Sequence, residues 1–418
     1  MPQYHQKTNH SYVSIRKNSF FLDWQTQPKA IKKYPHFYKR FKVSDYSELD
    51  NLELINCITY TKEHQNDTYN LRTVPSAGAL YPCEIYLQIR GIKSLISGIY
   101  HYEPYTKTIA LLCECEKDGV EYYFKDKRIQ KGITFLISAV YFRSSWKYRD
   151  RSIRYIFLDS GHQLGAIYAS MCVMGKDSTL KFDFDKLSLN DMLGFREDEV
   201  LTTSLFTTTT SSKEAEPLKQ KLPYVSGSDY LETNQFIYDS YKDGSNYKDN
   251  DTKIPEFFKN ISKNELKNAI VQRRSIRAFY QKSISKEKFE FITKRLFNFA
   301  NHYNIEIYYT LHRVENKTKG LYNGDTLLRQ GDFSSRSKYL ALEQNLGSQS
   351  AVTFYFTSNE EEKYQKVNIL SGFIAHIIYL KSQIVDVGCS GIGAYYDEEV
   401  KEFLGTKNNI LYMLAIGQ

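Results

Sequence analysis

Cysteine is scarce in this chain: Cys57, Cys83, Cys113, Cys115, Cys172 and Cys389 are the only six among 418 residues. No Cys-x-x-Cys pair occurs, and Cys113-Glu114-Cys115 is too closely spaced for a usual structural zinc pair, so no metal site is expected. So few thiols in so large a chain fit a reducing cytosol. A stretch of ~18 apolar residues is also lacking, which excludes a membrane-spanning helix. The opening MPQYHQKTNHSYVSIRK has no apolar signal-peptide core. A soluble, cytoplasmic protein is therefore expected, with no membrane partner. Neither sign of charge dominates: 56 basic residues face 48 acidic ones, leaving +8. The basic residues are scattered among acids, which describes a solvated surface and argues against a nucleic-acid partner.

Aromatic residues are abundant. Tyrosine (35), phenylalanine (25) and tryptophan (2) make up 15% of the chain, which excludes a largely disordered protein. At about 100–200 residues per domain, two or three domains are expected. The sharpest change in composition begins near residue 203. TTSLFTTTTSSKEAEP is a Thr/Ser run, and YKDGSNYKDNDTK is polar. Residues 207–253 read as a linker or a long wrapping excursion, with Tyr224, Tyr230, Phe236 and Tyr238 available to pack on a domain surface.

The halves on either side resemble each other. IFLDSGHQLGAIYASMCVMG (156–175) and NILSGFIAHIIYLKSQIVDVG (368–388) both carry Ser-Gly, then Ile-Tyr seven residues after the serine, in a helix-length stretch. LSLNDMLGFREDEVLTTSLFT (187–207) and YYDEEVKEFLGTKNNILYMLAIG (395–417) each give a polar helix ending in Leu-Gly, then an apolar strand. GITFLISAVYF (132–142) and SAVTFYFTS (350–358) are β-type runs ahead of the long helices. This is an internal repeat of domain size and suggests duplication. Residues 47–62 have apolar spacing suited to a helix, 83–92 alternate as a strand, and 98–112 read as a hairpin turning near Glu103-Pro104. Helices are expected at 263–274 and at 285–300, the latter with Ser285 as N-cap.

Four motifs could carry chemistry. RTVPSAGALYP (72–82) follows the expected 47–62 helix and precedes a strand. Ser76 and Gly78 there can bring a hydroxyl and backbone N–H groups against a planar or anionic ligand, although an ordinary Pro/Gly turn has the same composition. Arg273, Arg274 and Arg277 flank Ser275 at the end of an amphipathic helix. They form either an anion clamp or a solvated helix end favoured by the dipole. Gly388–Tyr396 contains Gly391-Ile392-Gly393, where the backbone could pass close to a cofactor. Lys147-Tyr148 lies between a strand and a helix opened by Asp159-Ser160-Gly161-His162. The pair could move a proton, or be a surface lysine beside packed aromatics.

In this combination and order the motifs resemble the nitroreductase-like flavoproteins. The closer likeness is to the SagB/ThcOx branch of azoline-peptide dehydrogenases. RTVPSAGALYPCEIYLQ, GIYHYEPYTKTIALL and WKYRDRSIRYIFLDSGHQLGAIY resemble that branch, and FLDWQTQPKAIKKYP (21–35) is similar to its lead-in. RRSIRAFYQKSISKEKFEFI and GIGAYYDEEVKEFLG resemble the opening and closing motifs of a general nitroreductase domain.

The resemblance implies an α+β protein of two tandem nitroreductase-like domains, each a mixed, mostly antiparallel sheet flanked by helices, forming an intramolecular pseudo-dimer. The expected layout is 1–206, a linker or excursion at 207–255, and 256–418. The implied cofactor is FMN. Pro75, Ser76, Ala77 and Gly78 would pack along the isoalloxazine, and Arg273, Arg274, Ser275 and Arg277 would hold phosphate and polar flavin atoms. Gly391, Ile392 and Gly393 would set amides near the ring. Lys147 and Tyr148 match the pair that removes a proton, and a lysine in that role needs its pKa held down by burial or a nearby cation. Each half keeps complementary motifs, so one FMN site per chain is expected.

The implied activity is an FMN-dependent dehydrogenase or oxidase of a peptide-borne azoline or related small molecule, with a biosynthetic partner enzyme. An NAD(P)H-dependent nitro or quinone reductase and a degenerate flavin-binding scaffold stand as alternatives. In solution the chain would be a monomer, the pseudo-dimer itself, or a homodimer.

Overall fold

The computed structural model describes residues 2–17, 21–64, 67–245 and 247–418. The chain divides into two compact units. The large unit is Asp23–Ile254 with Ser262–Lys267, and the small unit is Met1–Leu22 with Pro255–Ile261 and Asn268–Gln418.

The large unit runs β1 (Arg40–Lys42), β2 (Ile58–His64), β3 (Asp67–Arg72), β4 (Cys83–Arg90), β5 (Gly98–Glu103), β6 (Thr108–Glu114), β7 (Arg128–Val140), β8 (Thr179–Lys181), β9 (Glu199–Glu214) and β10 (Thr252–Lys253). Eight of these make one sheet, ordered β1-β6-β5-β4-β7-β9-β8-β10, while β2 pairs only with β3. β4 and β7 are rich in Ile, Leu and Phe and lie at its centre, with Ile85 opposite Ile137 and Leu87 opposite Phe135. The Ser152–Met174 helix follows β7. All of it is buried except Cys172 and Met174, its polar residues Arg154, Asp159, His162 and Gln163 included.

The small unit runs β11 (Glu306–Leu311), β12 (Gly320–Asn323), β13 (Thr326–Gln330), β14 (Val352–Ser358), β15 (Gly388–Ile392) and β16 (Asn409–Gly417), in the sheet order β13-β12-β11-β14-β16-β15. Its long buried helix is Tyr364–Ile384. Every strand ladder among the described residues is antiparallel. The repeat reappears as topology: β4-β7-β9-β8 has the same order as β11-β14-β16-β15, and the long helix follows β7 in one unit and β14 in the other. Both Leu-Gly pairs close the short helix before the last strand of the set. Gly194 and Gly405 take left-handed φ values of 74° and 70°, which a side chain disfavours.

The segment from His5 to His10 is tied into the small unit. The His10 amide donates to Asp397 Oδ2 (2.7 Å), the Asp397 amide returns to the His10 carbonyl (3.0 Å), and His5 Nδ1 lies 2.8 Å from Tyr364 Oη.

A buried ionic network fixes the large unit around the start of β4. Glu84 Oε1 accepts from Arg143 Nη2 (2.6 Å) and from the Lys32 amide (3.2 Å), and Glu84 Oε2 lies 2.8 Å from His101 Nε2. Glu199 accepts from Lys32 Nζ (2.5 Å), Tyr86 Oη (2.9 Å) and Ser138 Oγ (2.6 Å). Burial pushes the Glu84 carboxyl up, but Arg143 and His101 outweigh it and hold it down to about 2. Burial likewise works against charge on Lys32, yet Glu199 keeps that amine above its ordinary range. The network pins the 21–35 segment to the sheet through Lys32.

Several local expectations are corrected. Residues 47–62 are not a helix. They form two 3-10 turns, Ser47–Leu49 and Leu52–Ile55, and then β2. Left-handed Asn51 (φ 70°) breaks the helical path, and the β-branched Ile58-Thr59 and Thr61 favour a strand. The Thr/Ser run at 207–211, read as the start of a linker, is the outer half of β9, with Thr207 opposite Ile133 and Thr209 opposite Lys131. Beyond it, Tyr224 Oη donates to Asp198 (2.7 Å), and the Gln235–Asp243 helix starts at Asn234, whose side chain accepts from the Ile237 amide. β10 pairs with β8. Asn246, in the same stretch, lies outside the described residues. The expected 285–300 helix is two helices, Lys286–Thr293 and Leu296–His302, divided at left-handed Arg295, and Ser285 does cap the first.

Candidate functional site

In the large unit, the Pro75–Tyr81 turn follows strand β3, not the helix expected before it. Gly78, Ala79 and Tyr81 all have left-handed φ values, at 65°, 56° and 44°. Such values are strained for alanine and tyrosine and persist only where surrounding bonds enforce them. Ser76 Oγ donates to Asp159 Oδ2 (2.6 Å) and accepts from the Tyr81 amide (2.9 Å), while the Ala77 amide donates to Asp159 Oδ1 (3.3 Å). Burial pushes the Asp159 carboxyl up to about 7, against the pull of these donors. The helix carrying Asp159 begins at Ser152, one to two turns earlier than the sequence suggested.

Lys147 and Tyr148 close the short Phe142–Tyr148 helix and are half-buried. Although some 70 positions from the turn in sequence, they meet it in space. A Cβ on Gly78 would lie 2.7 Å from Tyr148 Oη and 3.4 Å from Lys147 Nζ. Glycine is needed there both for its left-handed φ and for this approach. Lys147 Nζ also lies 4.9 Å from the Trp24 ring centroid, within cation–π range. Trp24 packs edge-on against Trp146 (5.7 Å), and Trp146 Nε1 donates to Thr26 Oγ1 (2.9 Å). The 24–36 segment, β3 and the turn line a cleft of about 1640 Å³, whose walls include Trp24, Lys29, Tyr69, Ala79, Tyr81 and Tyr105.

In the small unit, Arg273 and Ser275 follow the Lys263–Gln272 helix. Arg273 is buried, with its guanidinium carbon 5.4 Å from the Tyr379 ring centroid. Arg274 is half-buried, and its Nη1 donates to the Val271 and Arg273 carbonyls. Arg277 is exposed. Residues 388–392, read as a connection, form edge strand β15. Ser275 bridges to Cys389, and the Ile276 amide donates to the Cys389 carbonyl (3.0 Å). Tyr379 joins the two motifs: its hydroxyl lies 3.0 Å from Ser275 Oγ and accepts from the Gly391 amide (2.7 Å). Burial pushes the Tyr379 phenol up to about 12, so it stays protonated at neutral pH. Ile392 packs in the small-unit core, and Gly393 follows it, half-buried.

A Cβ on Gly391 would fall 2.0 Å from Tyr412 Oη and 2.9 Å from its Cζ. Gly391→Ala is expected to cost about 1–3 kcal/mol by displacing that ring. A shift in urea midpoint at unchanged m-value checks it.

Asp159, Tyr379 and Tyr412 were missed as site residues by sequence reasoning. Only Asp159 carried a signal, as the acidic residue of the Asp159-Ser160-Gly161-His162 motif.

Residues 270–418 match the model of the nitroreductase family. The chain carries a nitroreductase-family domain. A candidate nitroreductase of Methanocaldococcus jannaschii, MJ1384, is 28% identical over 178 residues, 41% of this chain and 89% of that protein. The crystal structure of a candidate nitroreductase from Anabaena variabilis matches at TM-score 0.82 and 21% identity, covering 100% of this chain and 99% of that one. The architecture is thus the mixed α+β nitroreductase fold, and the nitroreductase-family match is confined to the C-terminal part of the chain. Among the described residues no helix is long and apolar enough to cross a membrane.

Proposed function

We propose that this nitroreductase-family enzyme is an FMN-dependent dehydrogenase or oxidase of a peptide-borne azoline or a related ring. The observation that supports it most is the Lys147–Tyr148 pair set against Gly78 of the Pro75–Tyr81 turn. The donor set also suits the cofactor. The guanidiniums of Arg273, Arg274 and Arg277 with the Ser275 hydroxyl match a dianionic phosphate, and the Pro75–Gly78 backbone is half-open to a planar ring. The Gly391 amide donates to the Tyr379 hydroxyl, so it is already engaged within the small unit. The two motif sets are complementary in sequence, and one FMN per chain is the stoichiometry this reading expects.

Bound FMN would supply a two-electron acceptor that takes hydride at N5. The chain's own part is to place the substrate ring and remove its proton, with Lys147 Nζ or Tyr148 Oη as the accepting atom. Trp24 lies within cation–π range of that amine, and the cleft beside the turn gives an extended substrate room. A biosynthetic partner would deliver the peptide. The resemblance to MJ1384 supports a second reading, an NAD(P)H-dependent reductase of nitro compounds or quinones.

The test is the visible spectrum of purified protein, with heat-released flavin counted against chains. About one FMN per chain is expected. Two per chain would refute the single site, and none after reconstitution with excess FMN would refute the cofactor.

A further inference from the structure

The Pro75–Tyr81 turn has a feature that none of its own residues explains. Three of the four residues from Gly78 to Tyr81 are left-handed, and two of these carry a Cβ. A turn of this kind relaxes unless something outside it dictates its shape. The only acidic side chain lining the small cavity behind it belongs to Asp159, which is 6% exposed. Its two oxygens take the Ser76 hydroxyl and the Ala77 amide at the start of the turn. The Ser76 oxygen in turn takes the Tyr81 amide at its end. One carboxylate thus gathers both ends of the turn. The base is itself fixed: Ser160, the next residue, donates to the Ile156 carbonyl within the long helix (2.6 Å), and its Oγ lies 3.7 Å from Cys83 Sγ at the start of β4. On the turn's other side Gly78 meets Tyr148 Oη and Lys147 Nζ.

We propose that Asp159 is a positioning residue, holding the turn in the shape that brings Gly78 against Lys147 and Tyr148 and presents Pro75–Ala77 to the flavin ring. The inference rests on the flavin reading above for its consequence. It adds a residue that does not touch the ring and acts only through Ser76 and Ala77.

The test compares wild type, Asp159→Leu and Asp159→Asn. Leucine keeps the buried volume and removes both acceptors. Asparagine restores one acceptor oxygen. FMN is titrated into each apoprotein, reading the dissociation constant by flavin fluorescence quenching and the shape of the bound visible band. Asp159→Leu is expected to bind FMN about tenfold more weakly or worse, with a less resolved band, as loss of both acceptor oxygens implies. Asp159→Asn, with one acceptor oxygen, should recover part of the affinity and part of the band shape. If Asp159→Leu does not fold, Asp159→Asn decides, since it should still bind a few-fold more weakly with an altered band. Wild-type affinity and spectrum in Asp159→Leu, or in Asp159→Asn should it be the only variant to fold, would overturn the inference alone. A wild type that takes up no FMN would overturn the flavin reading and this inference with it.

Discussion

Arg143→Met should destabilise the large unit by about 3–5 kcal/mol, the usual effect of removing one partner of a buried ion pair. Arg143 is fully buried and holds three groups at once: the Glu84 carboxylate, the Tyr81 carbonyl at the end of the turn and the Gly227 carbonyl on the 223–229 segment. Methionine fills much of the volume but leaves Glu84 with only His101 and the Lys32 amide. Both tryptophans, Trp24 and Trp146, belong to the large unit, so tryptophan fluorescence during urea unfolding reads this unit specifically. A loss below about 1 kcal/mol would show that the pair contributes little. The pH dependence has a definite sign. Glu84 titrates near 2 when folded, below its ordinary 4.5, so its contribution is present above about 4.5 and lost as pH falls toward 2. In Arg143→Met that acid-side loss should shrink, because the main cause of the depression is gone.

The second large effect concerns proton removal. A Lys147→Ala, Tyr148→Phe double variant is expected to lose about 10²–10⁴-fold in turnover of a thiazoline-bearing peptide, the range typical of a missing general base. Bound FMN and reduction of the flavin by NAD(P)H should be retained, since neither step needs the pair. Full activity of the double variant with a quinone and NAD(P)H, and no wild-type activity on the thiazoline, would favour the reductase reading instead.

The duplication was legible because both its copies are local: a strand, a long helix with Ser-Gly and Ile-Tyr at fixed spacing, and a Leu-Gly stop. The shared β4-β7-β9-β8 and β11-β14-β16-β15 orders are that pattern in three dimensions. The chemical motifs were legible as short strings. What joins them was not. Gly78 meets Tyr148, Ser76 meets Asp159, and Tyr379 links Ser275 to Gly391 across separations that no periodicity encodes. Tyr379 and Tyr412 look like ordinary core tyrosines until their hydroxyls are placed. The misread 47–62 segment shows the opposite failure: helical spacing of apolar residues was present, but Asn51 and the β-branched residues after Asn56 carried more weight.

The pairing of His10 with Asp397 has a consequence for biogenesis. Those residues are 387 positions apart, so the small unit cannot complete its contacts until Asp397 has left the ribosome. Every residue of the large unit, up to Lys267, is made before that point. The slow stage of making this protein should therefore be capture of the segment around His10 by the small unit, a contact of very high order.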